Sequence, residues 1–88
     1  FSIKQLLRKV SVRRRQECFQ TLILRNLIRP GDICFDIGAN IGDVALLLAE
    51  LCGPSGLVVA FEPVWPTYRE LLERISRKPR NSSAIVPV

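Results

Sequence analysis

Two acidic residues, each at the end of an apolar run, are the side chains best suited to bind a ligand. Asp36 lies near the end of the run Ile33–Ile37. Glu62 directly follows the run Leu57–Phe61. Continuous apolar runs are typical of buried parallel strands, and the carboxyl ends of such strands meet at one edge of the sheet. Gly38 predicts a tight turn beyond the first strand, so the sequence predicts a nucleoside-binding crevice at this edge.

Each of these residues has a specific chemical use. Glu62 can accept hydrogen bonds from both hydroxyls of a ribose, and each charge-assisted bond is worth about 1.5–3 kcal/mol. Asp36 can attract an ammonium group or orient the loop. Gly42, which has no side chain, lets a helix pack near the strand and lets ligand atoms approach. The N-terminus of that helix presents unpaired N–H groups, which favour a carboxylate or a phosphate.

The spacing of the glycines bears on which nucleoside binds. A dinucleotide fingerprint is Gly-x-Gly-x-x-Gly, whereas Gly38 and Gly42 are separated by three residues, with Asn40 between them. Asp36 would also bring a negative charge close to a pyrophosphate. Both departures disfavour NAD or FAD, and a ligand that joins adenosine to an amino acid fits better. Simpler interpretations stay open: Asp36 only caps a turn or helix, and Glu62 is an exposed acid before a turn.

The elements that must position these residues alternate along the chain. Apolar spacing and turn signals predict helices over about residues 3–10, 13–29, 41–52 and 66–78, and strands over 33–37, 57–61 and 84–88. Asn40 is expected to cap the third helix, with Asp43 completing a capping box. Strands alternating with helices predict right-handed crossovers and a parallel sheet covered on both faces. We therefore expect an α/β fold, a Rossmann-like three-layer α/β/α sandwich.

Composition narrows the possible chemistry. The 88 residues include no histidine, which excludes a Ser-His-Asp site and a His-ligated metal within them; no metal site is predicted. The three cysteines, Cys18, Cys34 and Cys52, are widely spaced, which argues against a disulfide framework. Cys34 and Cys52 are expected to be buried, inert thiols. The absence of methionine and the abrupt end at Val88 predict a segment of a larger domain, truncated after the third strand.

Charge and hydropathy bear on partners and location. The net charge is +5, and basic residues cluster at Arg13–Arg15 and again at Arg77, Lys78 and Arg80. No aromatic residues are interleaved with them to stack bases, so we interpret them as a solvated surface and expect no nucleic-acid partner. No apolar run approaches the ~18 residues of a membrane span, and the first residues lack a signal-peptide pattern. A cytoplasmic location is the expectation.

At the glycine turn the sequence resembles the class I S-adenosylmethionine-dependent methyltransferases, and more narrowly the FkbM-type family. Two strings carry the resemblance: Phe35–Gly42, with the pattern Asp-x-Gly-Ala-Asn-x-Gly, and Ala60–Pro63, which contains Phe-Glu-Pro. The resemblance covers residues 30–75 and implies S-adenosyl-L-methionine as the cofactor. It places around the cofactor's methionine part Asp36, Gly38, Ala39, Asn40 and Gly42. It assigns Glu62 to the ribose, with Pro63 and Val64 bordering the adenine.

The resemblance also implies how the chain is organised. Residues 1–29 would be a helical lead-in, and residues 30–88 the N-terminal half of a Rossmann-like methyltransferase domain. The activity implied is methyl transfer, with an oxygen of a small molecule or glycan as the acceptor. Any catalytic base would lie beyond Val88, and the oligomeric state is left open. Two alternatives remain at this point: an NAD-dependent oxidoreductase domain, and a non-catalytic, truncated nucleoside-binding module.

Overall fold

Helices and strands alternate along the chain in the predicted order. A computed structural model describes the backbone of residues 12–88 and the side chains of residues 19–88; the helix predicted over residues 3–10 lies outside this part. The elements are α1 (Val12–Leu27), β1 (Ile33–Ile37), α2 (Asp43–Cys52), β2 (Leu57–Phe61), α3 (Trp65–Ser76) and β3 (Ala84–Pro87). Strands β1 and β2 have the predicted bounds.

The three strands form one parallel sheet in the order β1-β2-β3. Asp36 of β1 pairs with Ala60 of β2, and Leu57 of β2 pairs with Ala84 of β3. Both connections therefore step across the sheet in the same direction. Since right-handed crossovers then place their helices on one face, α2 and α3 share that face, and side chains from both helices enter a single core.

Small side chains let α2 lie close to the sheet. Ala45 and Ala49 of α2 are fully buried, as are Val58 and Ala60 of β2. Leu71 of α3 is also fully buried in this core. Burial of apolar surface, worth about 25 cal/mol per Å², thus fixes α2 and α3 against the same strands.

The opposite face of the sheet is exposed in the described residues. Ile33, Phe35 and Ile37 of β1 expose 65%, 65% and 76% of their surface. This differs from the expectation of strands buried on both faces, because both crossovers place their helices on the other side. The predicted Rossmann-like α/β fold with a parallel sheet is confirmed, and the described residues build two of its three layers.

The start of α2 differs from the prediction. The helix begins at Asp43, and Gly42 occupies the N-cap position with a φ of 103° and no side-chain cap. The predicted Asn40 cap and its capping box with Asp43 are therefore wrong. The physical reason is that both residues have other partners: the Asn40 backbone N–H donates to Glu62, and the Asp43 carboxylate pairs with Arg74.

The thiols of Cys34 in β1 and Cys52 in α2, both predicted to be buried, lie against each other, and the prediction is met in full only for Cys52. Their Sγ atoms are 3.5 Å apart; Cys52 is buried and Cys34 half-buried. Burial, then the hydrogen bond to Cys34 and the charges of Cys34 and Asp32, raises the pKa of Cys52 to about 12. Because the thiolate is the reactive form, Cys52 is an inert thiol at neutral pH, as predicted.

Candidate functional site

The carboxyl end of β1 continues into a short loop, residues 38–42, which leads to α2 and which we call the glycine loop. Ile37 pairs with Phe61 at the last rung of the sheet. The backbone N–H groups of Gly38 and Ala39 both donate to the Phe61 carbonyl oxygen, at 2.9 and 2.8 Å. The loop is therefore fastened to the end of β2, immediately before Glu62.

Glu62 binds the glycine loop directly. Its Oε1 accepts the Asn40 backbone N–H at 2.9 Å, and its Oε2 accepts the Val64 backbone N–H at 2.9 Å. The side chain thus bridges the loop after β1 and the segment after β2. Because each carboxylate oxygen has a second lone pair, both oxygens can still accept a ligand hydroxyl.

The glycine loop uses left-handed backbone angles that the sequence only partly predicts. Gly38, Asn40 and Gly42 have φ values of 75°, 55° and 103°. A Cβ atom on Gly38 would meet open space, whereas one on Gly42 would lie 2.7 Å from Cδ1 of Leu71. Gly42 therefore permits close packing, as predicted, but against helix α3 rather than against a strand.

A cavity of about 580 Å³ lies beside the glycine loop, between β1, α1 and α2. The residues that line it are Gln20, Thr21, Asp36, Gly38, Ala39, Asn40, Ile41, Asp43, Val44 and Leu47. Its volume falls within the ~300–1,000 Å³ range of small-molecule sites. The sequence did not predict that Gln20 and Thr21 of α1 reach this cavity, because their polar side chains interrupt no apolar stripe and match no motif.

Asp36 is a charged residue of this cavity, and one of its oxygen atoms has no hydrogen-bond partner in the part of the chain that the structure describes. This atom, Oδ2, is buried. Desolvation by burial raises the pKa of Asp36. A buried carboxylate oxygen without a partner is costly unless a cation or donor arrives, so this position suits a cationic ligand group.

The predicted site residues fall into two sets. Asp36, Gly38, Ala39 and Asn40 line the cavity. The others, Gly42, Glu62 and Pro63, do not line it. Glu62 is connected to the cavity through its bond to Asn40, Gly42 is buried under α3, and Pro63 is exposed beyond β2.

Arg74 of α3 also contacts the glycine loop, a contact that the sequence does not predict. Its Nη1 donates to Asp43 Oδ1 at 2.6 Å and to the Ile41 carbonyl oxygen at 3.2 Å. The partners lie 31 and 33 residues away along the chain. No local sequence pattern reports a contact at that separation.

The fold of this chain resembles that of a solved structure. A crystal structure described as an rRNA methylase from Clostridium thermocellum superposes with a TM-score of 0.69 at 15% identity, covering 80% of this chain and 38% of that one. The likeness is one of fold. Strands β1 to β3 and their helices thus belong to a Rossmann-like α/β fold.

The sequence comparison gives a narrower likeness. Over 36 residues the chain is 56% identical to the 31-O-demethyl-FK506 methyltransferase FkbM of Streptomyces tacrolimicus. The match covers 41% of this chain and 14% of that relative, and no family model matches the chain. The resemblance to FkbM-type methyltransferases predicted from the glycine turn is confirmed over this stretch.

Two further expectations concern the surroundings of the site. No helix in residues 12–88 is both long enough and apolar enough to cross a membrane.

In the predicted basic cluster, Arg77 forms an exposed ion pair with Glu73 at 2.6 Å. Part of that basic charge is therefore balanced by an acid at the C-terminal end of α3. The interpretation of the cluster as a solvated surface stays a prediction.

Proposed function

We propose that this chain is the cofactor-binding part of an S-adenosylmethionine-dependent methyltransferase. The observation that carries the proposal is the buried Asp36 oxygen, which has no partner among residues 19–88, in a cavity whose loop donates a hydrogen bond to Glu62. An adenosyl amino acid has a complementary group for each acid: an ammonium for one and a ribose diol for the other. The likeness to FkbM and to the methylase fold supports the same assignment.

Different residues would bind different parts of the ligand. Asp36 would take the ammonium group and so gain the partner that it lacks. Glu62 would accept the ribose hydroxyls with the lone pairs that Asn40 and Val64 leave free. Pro63 and Val64, both exposed next to Glu62, would border the adenine. We also propose that the first turn of α2, whose N–H groups have no partner within the helix, favours the carboxylate.

The same contacts argue against a dinucleotide. A pyrophosphate site needs free backbone N–H groups in the loop after the first strand. Here the N–H groups of Gly38, Ala39 and Gly42 donate to backbone carbonyls, and that of Asn40 donates to Glu62. Four of the five loop amides are therefore already used, and Asp36 would repel a pyrophosphate. Both facts favour the adenosyl amino acid over NAD.

The chemistry expected is methyl transfer to oxygen. When bound, the cofactor supplies an electrophilic methyl group on a sulfonium centre. The residues of this chain would bind and orient that ligand, and positioning of this kind supplies a large part of such rate enhancements. We propose a hydroxyl of a small molecule or glycan as the acceptor, because the name of the FkbM relative describes methylation at an oxygen. We assign no catalytic residue within this chain, and we propose a cytoplasmic protein.

A pair of titrations tests the proposal. S-adenosylhomocysteine, the demethylated cofactor, is titrated into the protein by calorimetry, and NADH is titrated while its fluorescence is followed. We expect saturable heat with S-adenosylhomocysteine and no enhancement of NADH fluorescence. The reverse result would overturn the proposal in favour of a nicotinamide-dependent oxidoreductase. Binding of neither ligand would also overturn the proposal.

A further inference from the structure

We propose that Arg74 is a positioning residue, which holds the glycine loop in its ligand-binding shape and thereby controls affinity for the amino-acid part of the ligand. The inference rests on the proposed function. Arg74 lies on α3, outside both acidic strand ends and outside the glycine loop itself.

The loop needs to be held because part of it is strained. Asn40 has a φ of 55°, a left-handed angle that is sparsely populated by residues with a Cβ atom, although Asn adopts it more readily than most. Strain of this kind persists only where the surroundings impose it. The contacts that impose it are therefore part of the site.

The first half of the loop is held by the end of β2. The Gly38 and Ala39 N–H groups donate to the Phe61 carbonyl, and the Asn40 N–H donates to Glu62. These contacts reach no further than residue 40. In the second half, the Gly42 N–H donates to the Ala39 carbonyl at 3.0 Å, and further contacts come from α3.

Helix α3 holds the second half at two positions. Leu71 packs where a Cβ atom of Gly42 would lie, with 2.7 Å between Leu71 Cδ1 and that point. Arg74, three residues further on and so on the same helix face, donates to the Ile41 carbonyl and to Asp43. The Arg74 side chain is 34% exposed, which leaves its charge only partly screened.

This arrangement connects the two halves of the proposed site. Helix α3 begins three residues after Glu62, and Ile41 and Asp43, which Arg74 contacts, both line the cavity that contains Asp36. Arg74 should therefore affect the amino-acid end of the ligand and leave the nucleoside end, at Glu62, unaffected. A residue that only stabilised the fold would affect both ends alike.

Two ligands separate these outcomes. S-adenosylhomocysteine carries the amino acid, and 5′-methylthioadenosine lacks it. In Arg74→Ala we expect about a tenfold loss of affinity for S-adenosylhomocysteine, in keeping with one partly exposed charge-assisted contact, and unchanged affinity for 5′-methylthioadenosine. Because both bonds come from one nitrogen, Arg74→Lys should retain part of the affinity. Arg77→Ala is the matched control, since Arg77 is the C-cap residue of the same helix and pairs with Glu73 rather than with the glycine loop.

The possible failures can be told apart. If the unaltered protein binds neither ligand, the proposed function is wrong. If it binds both and Arg74→Ala loses affinity for neither, or for both equally, the positioning role is wrong. Should Arg74→Ala not fold, Asp43→Asn removes the ion pair and leaves the Ile41 contact. A smaller loss confined to S-adenosylhomocysteine is expected there, and the absence of any loss would overturn the inference.

Discussion

The two acids at the neighbouring strand ends have opposite surroundings. Glu62 accepts two backbone N–H groups, one from each side of the site. Asp36 has a buried oxygen with no partner among the described residues. Both side chains are half-buried, so burial alone does not separate them. What separates them is whether the protein itself supplies donors.

This difference assigns the two carboxylates different tasks. Glu62 stabilises the glycine loop before any ligand binds, and its remaining lone pairs can still accept hydrogen bonds from a ligand. Asp36 costs stability in the free protein, and a ligand cation would remove that cost. One acid thus orders the site, and the other is left for the ligand, which is the pattern expected where stability is exchanged for binding.

The largest effect should come from removing Glu62, which orders the glycine loop and would also bind the ribose. Glu62→Ala takes the partner from the Asn40 and Val64 N–H groups and from the ribose. We expect a loss of about 2–3 kcal/mol in binding free energy for S-adenosylhomocysteine, measured by calorimetry. The free energy of unfolding should fall by roughly 1–2 kcal/mol, measured by urea denaturation.

Glu70→Ala is the control for that prediction, because Glu70 is an exposed acid of α3 outside the cavity. It should leave both quantities nearly unchanged. If Glu62→Ala weakened binding but left the free energy of unfolding intact, Glu62 would not order the loop. The statement that Glu62, unlike Asp36, stabilises the free protein would then be wrong.

The loop between the two acids contains a second contrast, between Gly38 and Gly42. Both have positive φ values, so an alanine at either costs roughly 1–2 kcal/mol in backbone strain. Only at Gly42 would the new Cβ atom also meet Leu71, at 2.7 Å. Since Leu71 is fully buried, Gly42→Ala should cost about 1–2 kcal/mol more than Gly38→Ala in urea denaturation. Equal losses would mean that Leu71 moves aside freely and that α3 does not hold the loop.

Much of the fold could be predicted because it depends on local patterns. The bounds of β1 and β2 follow from continuous apolar runs that end at glycine and proline signals. The Asn40 cap was predicted wrongly because the local pattern Asn-x-x-Asp ignores Glu62, which lies 22 residues away and takes the Asn40 N–H. The exposure of Ile33, Phe35 and Ile37 could not be predicted either, since an apolar run does not say on which face the helices lie.

Some residues of the candidate site could be predicted from the sequence and others could not, for the same physical reason. Asp36 and Glu62 could be found because strand ends and acids are visible in the sequence. Leu71 and Arg74 could not, since their contacts with the loop depend on how α3 packs after the chain has crossed the sheet. Nor could the lack of a partner at Asp36 be predicted, because it depends on everything that surrounds the side chain.

The smallest expected effect concerns Asp36, and it tests the contrast between the two acids at the residue without a partner among the described residues. Asp36→Asn should raise the free energy of unfolding at pH 7, by up to about 1 kcal/mol, while it weakens binding of S-adenosylhomocysteine. The sign follows from the pKa of Asp36, which burial raises above its ordinary value of 3.8. A raised pKa means that the folded state favours the protonated form of Asp36. The folded state is therefore relatively more stable at low pH, and this advantage is lost as the pH rises through the raised value. The advantage of Asp36→Asn should therefore be absent below about pH 3.8 and complete at neutral pH, in urea denaturation across that range. A loss of stability at pH 7 would mean that the carboxylate already has a partner within the protein, and the two acids would then not differ as described.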